Sequence, residues 1–363
     1  MLLCSGMSRH LFPVFAFAVA FSCLGQTPAT LQQPLPKDPR AILEMAAPHY
    51  DFTSPDLKPW HLKATYQLYD DQGKPTEQGT YEYWWASPKS SRASWTRAGA
   101  SRTEWSMPDG SVYLKQTGGP LHYFEKTIEH LLFSPVPFRE LLDNGKVKLD
   151  LKMLPAKPEK ITCVTASHEL AVNGQAKPPV ILLPDYYCFA PSTPALVLTD
   201  LHSITTEFNQ LVKTQDRYLP KRISVLIGRQ KVFDVSIDEI GGLNPAESEL
   251  APPPDAKLES TSSDPSGPVR VASNLAAGGL VKKAPPNYPL FAKANRIQGT
   301  VILAGTIGTD GRLRDLEVLA TPSPVLEQAA LDSVKKWEYK PYLLNGKPVE
   351  VETLVNVVFA LGN

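Results

Sequence analysis

The sequence predicts an α+β chain dominated by β structure: a large curved antiparallel sheet with a few helices, a disordered proline-rich linker, and a small α+β domain. Three observations carry this. Apolar and polar residues alternate from His61 to Thr117, and strand-like runs resume from Lys146 to Ile240, with turn cues between them. Residues 242–274 switch to proline, serine and acid. The closing stretch reads helix, strand, strand, helix, strand. The 363 residues leave room for two or three domains. Equal numbers of basic and acidic residues, 37 each, argue against a nucleic-acid binder that works through bulk charge. A hydrophobic share of 42% excludes a wholly disordered chain, and 35 prolines, about twice the usual proportion, point to linkers.

Residues 1–25 carry a single charged side chain, Arg9, before the apolar run Leu11 to Phe21, the layout of a secretory signal. The run from Leu11 to Gly25 falls short of the roughly 20 residues of a spanning helix, and Pro13 interrupts it. Small residues at Ser22 to Gly25 suit a peptidase. Two alternatives stay open: an uncleaved anchor, and lipidation of Cys23, since Ala20-Phe21-Ser22-Cys23 loosely resembles a lipobox. Each places the rest of the chain in the periplasm, free or tethered.

Residues 26–40 form a polar, proline-rich lead-in, and Ala41 to Met45 a short helix. In the sheet domain, residues 41–241, Leu62, Ala64, Tyr66 and Leu68 alternate against His61, Lys63, Thr65 and Gln67. Further strands are expected at Gln78 to Ala86, Arg92 to Arg97, Arg102 to Met107 and Ser111 to Gln116, a meander cut by Asp71-Gln72-Gly73 and Pro108-Asp109-Gly110. Ile128, Leu131 and Leu132, then Phe138, Leu141 and Leu142, recur at helical spacing around Pro135 and Pro137, predicting two short helices. Strands resume at Lys146 to Met153, Ile161 to His168, Pro179 to Phe189, Ser203 to Lys213, Leu219 to Ile227 and Lys231 to Ile240. So many strands in one sheet are expected to curl. With Cys4 and Cys23 set aside in the signal, Cys163 and Cys188 remain in strand-like runs, and an oxidising compartment favours a disulfide between them over two buried thiols.

The linker holds Pro252-Pro253-Pro254 and Asp264-Pro265-Ser266-Gly267-Pro268, with five acids against Lys257 and Arg270. It reads as a solvated tether, about 30 residues reaching on the order of 90 Å. In residues 275–363, Leu290 to Asn295 reads as a helix, Gly299 to Ile307 as a strand, Thr309-Asp310-Gly311 as a hairpin turn and Leu313 to Leu319 as its return. Pro324 opens a helix with Leu326, Ala329, Ala330, Val334 and Trp337 on one face, and Val349 to Leu361 alternates as a last strand.

Tyr288-Pro289, Arg296-Ile297-Gln298-Gly299-Thr300-Val301, the Ile307 to Arg312 hairpin, Ala329-Ala330-Leu331, Trp337-Glu338-Tyr339-Lys340-Pro341 and Asn345-Gly346-Lys347-Pro348-Val349 follow in unbroken order. Together they resemble the TonB C-terminal domain family, energy-transducer-like. The resemblance implies a periplasmic module that grips an outer-membrane transporter or another envelope protein through a short extended segment. Its partner-binding residues would be Tyr288, Pro289, Val351, Thr353, Val355, Val357 and Phe359, the last five along a strand edge that accepts a partner strand. A core strand or a homodimer edge is the alternative for Val351 to Phe359. The chain departs from the family where Ser8 and His10 precede the apolar run rather than lie within it. That run has no ionisable residue to carry coupling, so ExbB and ExbD are implied as partners only if the N-terminus stays uncleaved. The family's Lys-Pro and Glu-Pro linker is also replaced, by a folded domain and an acidic tether.

The sheet domain resembles the LolA-like half-barrel with a helical lid, through segments such as Gly79 to Pro88 and Arg217 to Ile223. That resemblance implies an apolar cavity for acyl chains or another hydrophobic ligand, with Tyr66, Tyr81, Tyr83, Trp85, Trp95 and Trp105 as candidate lining; the alternative is that these aromatics fill an ordinary sheet core and its surface. The alternative function is therefore a soluble periplasmic carrier of such a ligand, using the last domain to dock. Motifs for zinc, nucleotide phosphate or a nucleophilic serine are missing, and no cofactor, metal or catalytic residue is expected. Of the seven histidines, the six after His10, namely His49, His61, His122, His130, His168 and His202, read as surface or core residues.

Overall fold

The computed structural model describes residues 34–70, 72–136, 147–156, 160–170, 180–181, 184–201, 203–244, 250–260, 269–270, 279–344 and 347–361. The signal, most of the lead-in, the expected helix around Phe138 to Leu142, and His202 lie outside the described residues.

Helix α1 (Pro39–Ala46) starts where the sequence provides a cap: the Asp38 carboxylate accepts from the Ala41 N–H at 2.8 Å, and Pro39 occupies the first turn. Strands β1 (Trp60–Tyr69), β2 (Pro75–Ser87), β3 (Ser90–Arg97), β4 (Ala100–Ser106) and β5 (Val112–Thr117) follow as a meander. Helix α2 (Tyr123–Phe133) separates it from a second series: β6 (Val147–Leu154), β7 (Ile161–Leu170), β8 (Val180–Ile181), β9 (Asp185–Phe189), β10 (Leu196–Leu201), β11 (Ile204–Thr214), β12 (Arg217–Ile227) and β13 (Gln230–Gly242). The two series join where β1 pairs antiparallel with β13, from Trp60 opposite Gly242 to Leu68 opposite Phe233. With β14 (Lys257–Ser260) on β5 they make one sheet of 14 strands among the described residues.

Bulges at Lys63/Ala64 and Val225/Leu226 add local twist, and the concave face collects the apolar positions of the alternation. Trp60, Leu62, Ala64, Tyr66, Tyr81, Tyr83, Trp85 and Trp95 point inward and are buried. Gly79 faces Tyr66 across β1 and β2, and a Cβ there would meet the phenol ring at 2.3 Å, so only glycine leaves room for the tyrosine.

Helices α1 and α2 fill the concave face with Ile42, Leu43, Phe124, Ile128, Leu132 and Phe133. Phe133 packs on Tyr83 at 4.8 Å and on Trp60 at 5.1 Å between ring centres. The aromatic-lined cavity that the resemblance implies is thus corrected in favour of the alternative: five of the six named aromatics are buried in the core that α1 and α2 complete. The sixth, Trp105, faces the convex side, where the Arg92 guanidinium lies 4.4 Å from the Trp84 ring centre and 5.6 Å from that of Trp105.

Other expectations need correction. The run Pro179 to Phe189 divides into β8 and β9. Strand β10 has no alternation to betray it, because Leu196 enters the main core while its neighbour Val197 enters a satellite cluster on the other face. The linker is not a free tether throughout. Strand β14 adds to the sheet edge, helped by the Lys115–Asp255 ion pair at 2.7 Å, and Val269–Arg270 form a second paired stretch, β15.

The last part contains β16 (Leu280–Lys282), helix α3 (Leu290–Ala294), β17 (Gly299–Ile307), β18 (Leu313–Ala320), helix α4 (Pro324–Val334), β19 (Glu338–Tyr339), β20 (Tyr342–Leu344), β21 (Lys347–Val349) and β22 (Val351–Phe359). Its main sheet runs β15-β22-β17-β18. Leu326, Ala330 and Val334 of α4 bury one face of it against Val301, Leu303, Val355 and Val357. Helix α4 ends at Val334, before Trp337, because the chain turns there; the indole still joins the same core and donates to the Ala284 carbonyl at 2.9 Å. Among the described residues no helix is long and apolar enough to cross a membrane, and no three His, Cys, Asp or Glu side chains gather to hold a metal.

Candidate partner-binding edge

Strand β22 is hydrogen-bonded along its whole length to β17 on one side, from Val351 opposite Ile307 to Phe359 opposite Gly299. On the other side β15 pairs with its first two residues alone, in parallel: Val269 with Val351, and Arg270 with Glu352. From Thr353 to Phe359 no described strand pairs with this side. A strand that stands at the border of its sheet is a template for an added strand.

The sequence-derived residues divide by role. Val351, Thr353, Val355, Val357 and Phe359 all turn their side chains into the core and are buried. What they offer at the edge is backbone, and the side chains they would have presented to a partner are corrected to core contacts. The period of two that made the strand legible also dictates this: the apolar set must face α4. Tyr288 is half-buried; its hydroxyl donates to the Ile297 carbonyl at 2.7 Å, and its ring meets Phe359 edge-on at 5.4 Å. Pro289 caps α3, its carbonyl accepting from the Lys293 N–H at 3.0 Å. Tyr288 thereby braces the far end of β22. The following Leu290 and Phe291 stay 83% and 61% exposed, and Val358 on the outer face of β22 is 63% exposed.

At the near end, a cavity of about 140 Å³ opens beside Val351, with Ile307, Lys340, Pro341, Tyr342 and Leu343 in its walls. Strand β15 and this cavity were not anticipated. The available signal was Pro268-Val269-Arg270-Val271, a short β-branched alternation inside a proline- and serine-rich stretch.

The outer face of the β22-β17-β18 sheet meets α2. The Glu317 carboxylate of β18 accepts from the Tyr123 N–H at 2.9 Å and lies 3.6 Å from His122 Nδ1. Lys126 pairs with Glu352 at 3.5 Å, and Leu319 and Leu354 pack against the core of the large sheet. The Glu317 contact holds the His122 imidazole above its ordinary pKa, aided by Glu125 and opposed by burial and Arg97. Helix α2 is itself anchored from below. The fully buried Glu125 accepts from Tyr66 Oη at 2.5 Å and from the His122 N–H at 2.6 Å, with Arg97 Nε at 3.3 Å. Burial and this carboxylate push the Tyr66 phenol up, so it stays a donor.

On the other wing of the large sheet, Cys163 and Cys188 stand directly opposite one another on β7 and β9 and form a disulfide.

Comparison with known proteins falls into two parts. A crystal structure of a LolA superfamily protein from Nitrosomonas europaea is similar at 11% identity, covering 56% of this chain and 93% of that one, with a TM-score of 0.30. Protein TonB of Pseudomonas aeruginosa is 38% identical over 66 residues, 18% of this chain and 19% of that protein. The chain therefore spans about a fifth of the length of that curated relative. The solution structure of the Pseudomonas aeruginosa TonB C-terminal domain is 29% identical, covering 23% of this chain and 88% of that one, with a TM-score of 0.20. The stretch that carries β22, residues 284–361, matches the family model of the Gram-negative bacterial TonB protein C-terminal.

Proposed function

We propose that this chain is a periplasmic TonB-like envelope protein that takes up an extended segment of an outer-membrane transporter as an added strand on β22. The observation that supports the reading is that, among the described residues, no strand pairs with the second side of β22 beyond Glu352, within the stretch that matches the TonB C-terminal model. Backbone hydrogen bonds to that edge supply affinity, and side-chain contacts on either face supply selectivity. The large sheet domain, docked on the same small sheet through α2, then serves as a second binding module that travels with it.

The test is a titration of the isotope-labelled chain with a synthetic peptide copying the extended N-terminal segment of such a transporter. Amide signals of Thr353 to Phe359 are expected to shift progressively, with Leu326 to Val334 on the opposite face little changed. Spectra unaltered at millimolar peptide would sink the reading.

A further inference from the structure

A net charge of zero over the whole chain hides a local excess. Residues 279–283 and 332–344 hold five lysines, Lys282, Lys283, Lys335, Lys336 and Lys340, against two acids, Asp332 and Glu338. We propose that this face of the small domain is a membrane-contact surface, which rests on the headgroups of an anionic phospholipid bilayer with Val281 and Leu343 dipping between them. The inference stands apart from strand addition, since it uses neither β22 nor a transporter.

The fold brings the five lysines together. Strand β16 pairs antiparallel with β19, Leu280 opposite Tyr339 and Lys282 opposite Glu338. The Lys340 N–H donates to the Gly279 carbonyl at 2.6 Å, and Lys340 and Leu343 line the same small cavity as Gly279. Lys283 Nζ lies 5.0 Å from the ring centre of Trp337, which Lys335 and Lys336 directly precede. All five side chains are exposed.

Their charge is largely unspent within the chain. Glu338 stands 3.2 Å from Lys282 and 3.9 Å from Arg312, so one carboxylate serves two cations, and Asp332 accepts from Gln328 at 2.9 Å. Among the described residues no carboxylate lies within ion-pair distance of Lys283, Lys335, Lys336 or Lys340. Residues 271–278 and 345–346, which border the patch in sequence, contain no acid. Lysines at the end of α4 favour its dipole. That account does not reach Lys282, Lys283 and Lys340, which lie outside any helix. Like charges held this close repel one another, and an anionic partner relieves the cost.

The apolar side chains decide the class of partner. Val281 is 55% exposed and Leu343 57% exposed, both among the lysines. Basic groups around exposed aliphatics match a lipid interface, where ammonium groups meet phosphates and the aliphatics sink below them. The patch is built around the end of α4, whereas α2 and the large sheet pack on the outer face of the small sheet, so docking of the two parts leaves it accessible.

The test is cosedimentation of the chain from Gln26 onward, which keeps every described residue, with vesicles of phosphatidylcholine alone or with about 30% phosphatidylglycerol. Each lysine near such a surface raises partitioning about fivefold. The native sequence is expected to bind the anionic vesicles about a hundredfold more tightly than the neutral ones, and to be released as salt approaches about 0.5 M. Lys283→Gln, Lys335→Gln, Lys336→Gln and Lys340→Gln together are expected to abolish that preference, and Val281→Ser with Leu343→Ser to weaken binding about fivefold. A control with Lys63→Gln, Lys74→Gln, Lys89→Gln and Lys221→Gln removes the same charge from the large sheet domain and is expected to bind as the native chain does. All ten positions are exposed, so the fold is kept in each variant. Equal binding to the two kinds of vesicle, or an equal loss in the control, overturns the proposal. Unaltered binding of the serine variant, or tighter binding to isolated cell-wall sacculi than to the vesicles, overturns the bilayer as the partner.

Discussion

His122 sits where the two sheets meet, and its surroundings make the contact between them sensitive to pH. The carboxylate of Glu317 comes from β18, Glu77 lies 3.9 Å from Nε2 on the other side, and Glu125 and Arg97 stand beneath. The imidazole is held above its ordinary value, chiefly by Glu317, so the protonated form favours the docked arrangement. Its contribution is complete below the ordinary histidine pKa of about 6.5 and is lost as pH rises through the raised value. The melting temperature of the native chain is therefore expected to fall between about pH 6 and about pH 8 by more than that of Glu317→Gln. The titration of His122 followed by NMR should move down toward the ordinary value in that variant. An unchanged histidine titration would remove Glu317 as the cause. With His122 and Glu317 each more than a third exposed, the effect is modest, in the range of surface ion pairs.

Among the elements, β7 and β9 are the pair most open to a direct test. Their link, Cys163–Cys188, spans a sequence separation of 25. Loop-closure entropy for such a span is worth about 3.5 kcal/mol. Replacing both cysteines by serine is expected to lower the unfolding free energy by about that amount in urea titration. Reductant should do the same to the native chain and nothing to the double variant. Equal stability of the native chain with and without reductant would mean that the pairing of β7 with β9 holds this wing unaided.

For the molecule as a whole, the decisive contact is the seam between α2 and the outer face of the small sheet. Leu319 and Leu354 pack there against the core of the large sheet, and Lys126 pairs with Glu352 of β22. Helix α2 thereby touches the concave aromatic core with one face and β22 with the other. Leu319→Arg places a charge in the seam without touching α4 or the inner face of β17 and β22. It is expected to split thermal unfolding into two transitions and to abolish the pH dependence tied to His122. A single cooperative transition in calorimetry would show that the seam does not couple the two parts.

The sequence by itself determined what is local. Alternation along β1 placed Leu62, Ala64, Tyr66 and Leu68 on one face, and the structure buries those four. Asp310-Gly311 marked the hairpin, where Gly311 has a φ of 78° and donates to the Gly308 carbonyl at 2.8 Å. The apolar spacing after Pro324 marked α4, and the strand Gly299 to Ile307 was legible to the residue. These features follow from backbone preference and the period with which one face is buried, both of which are written in neighbouring residues.

Only the tertiary structure decided that β1 closes on β13, that α1 and α2 pack on the concave face, and that Glu317 meets His122 across the chain. It alone decided that the edge residues named from sequence give their side chains to the core, and that β15 covers the start of that edge. Strand order and edge occupancy depend on backbone hydrogen bonds, which every residue but proline offers alike. No pattern of side chains states which two distant strands will share them.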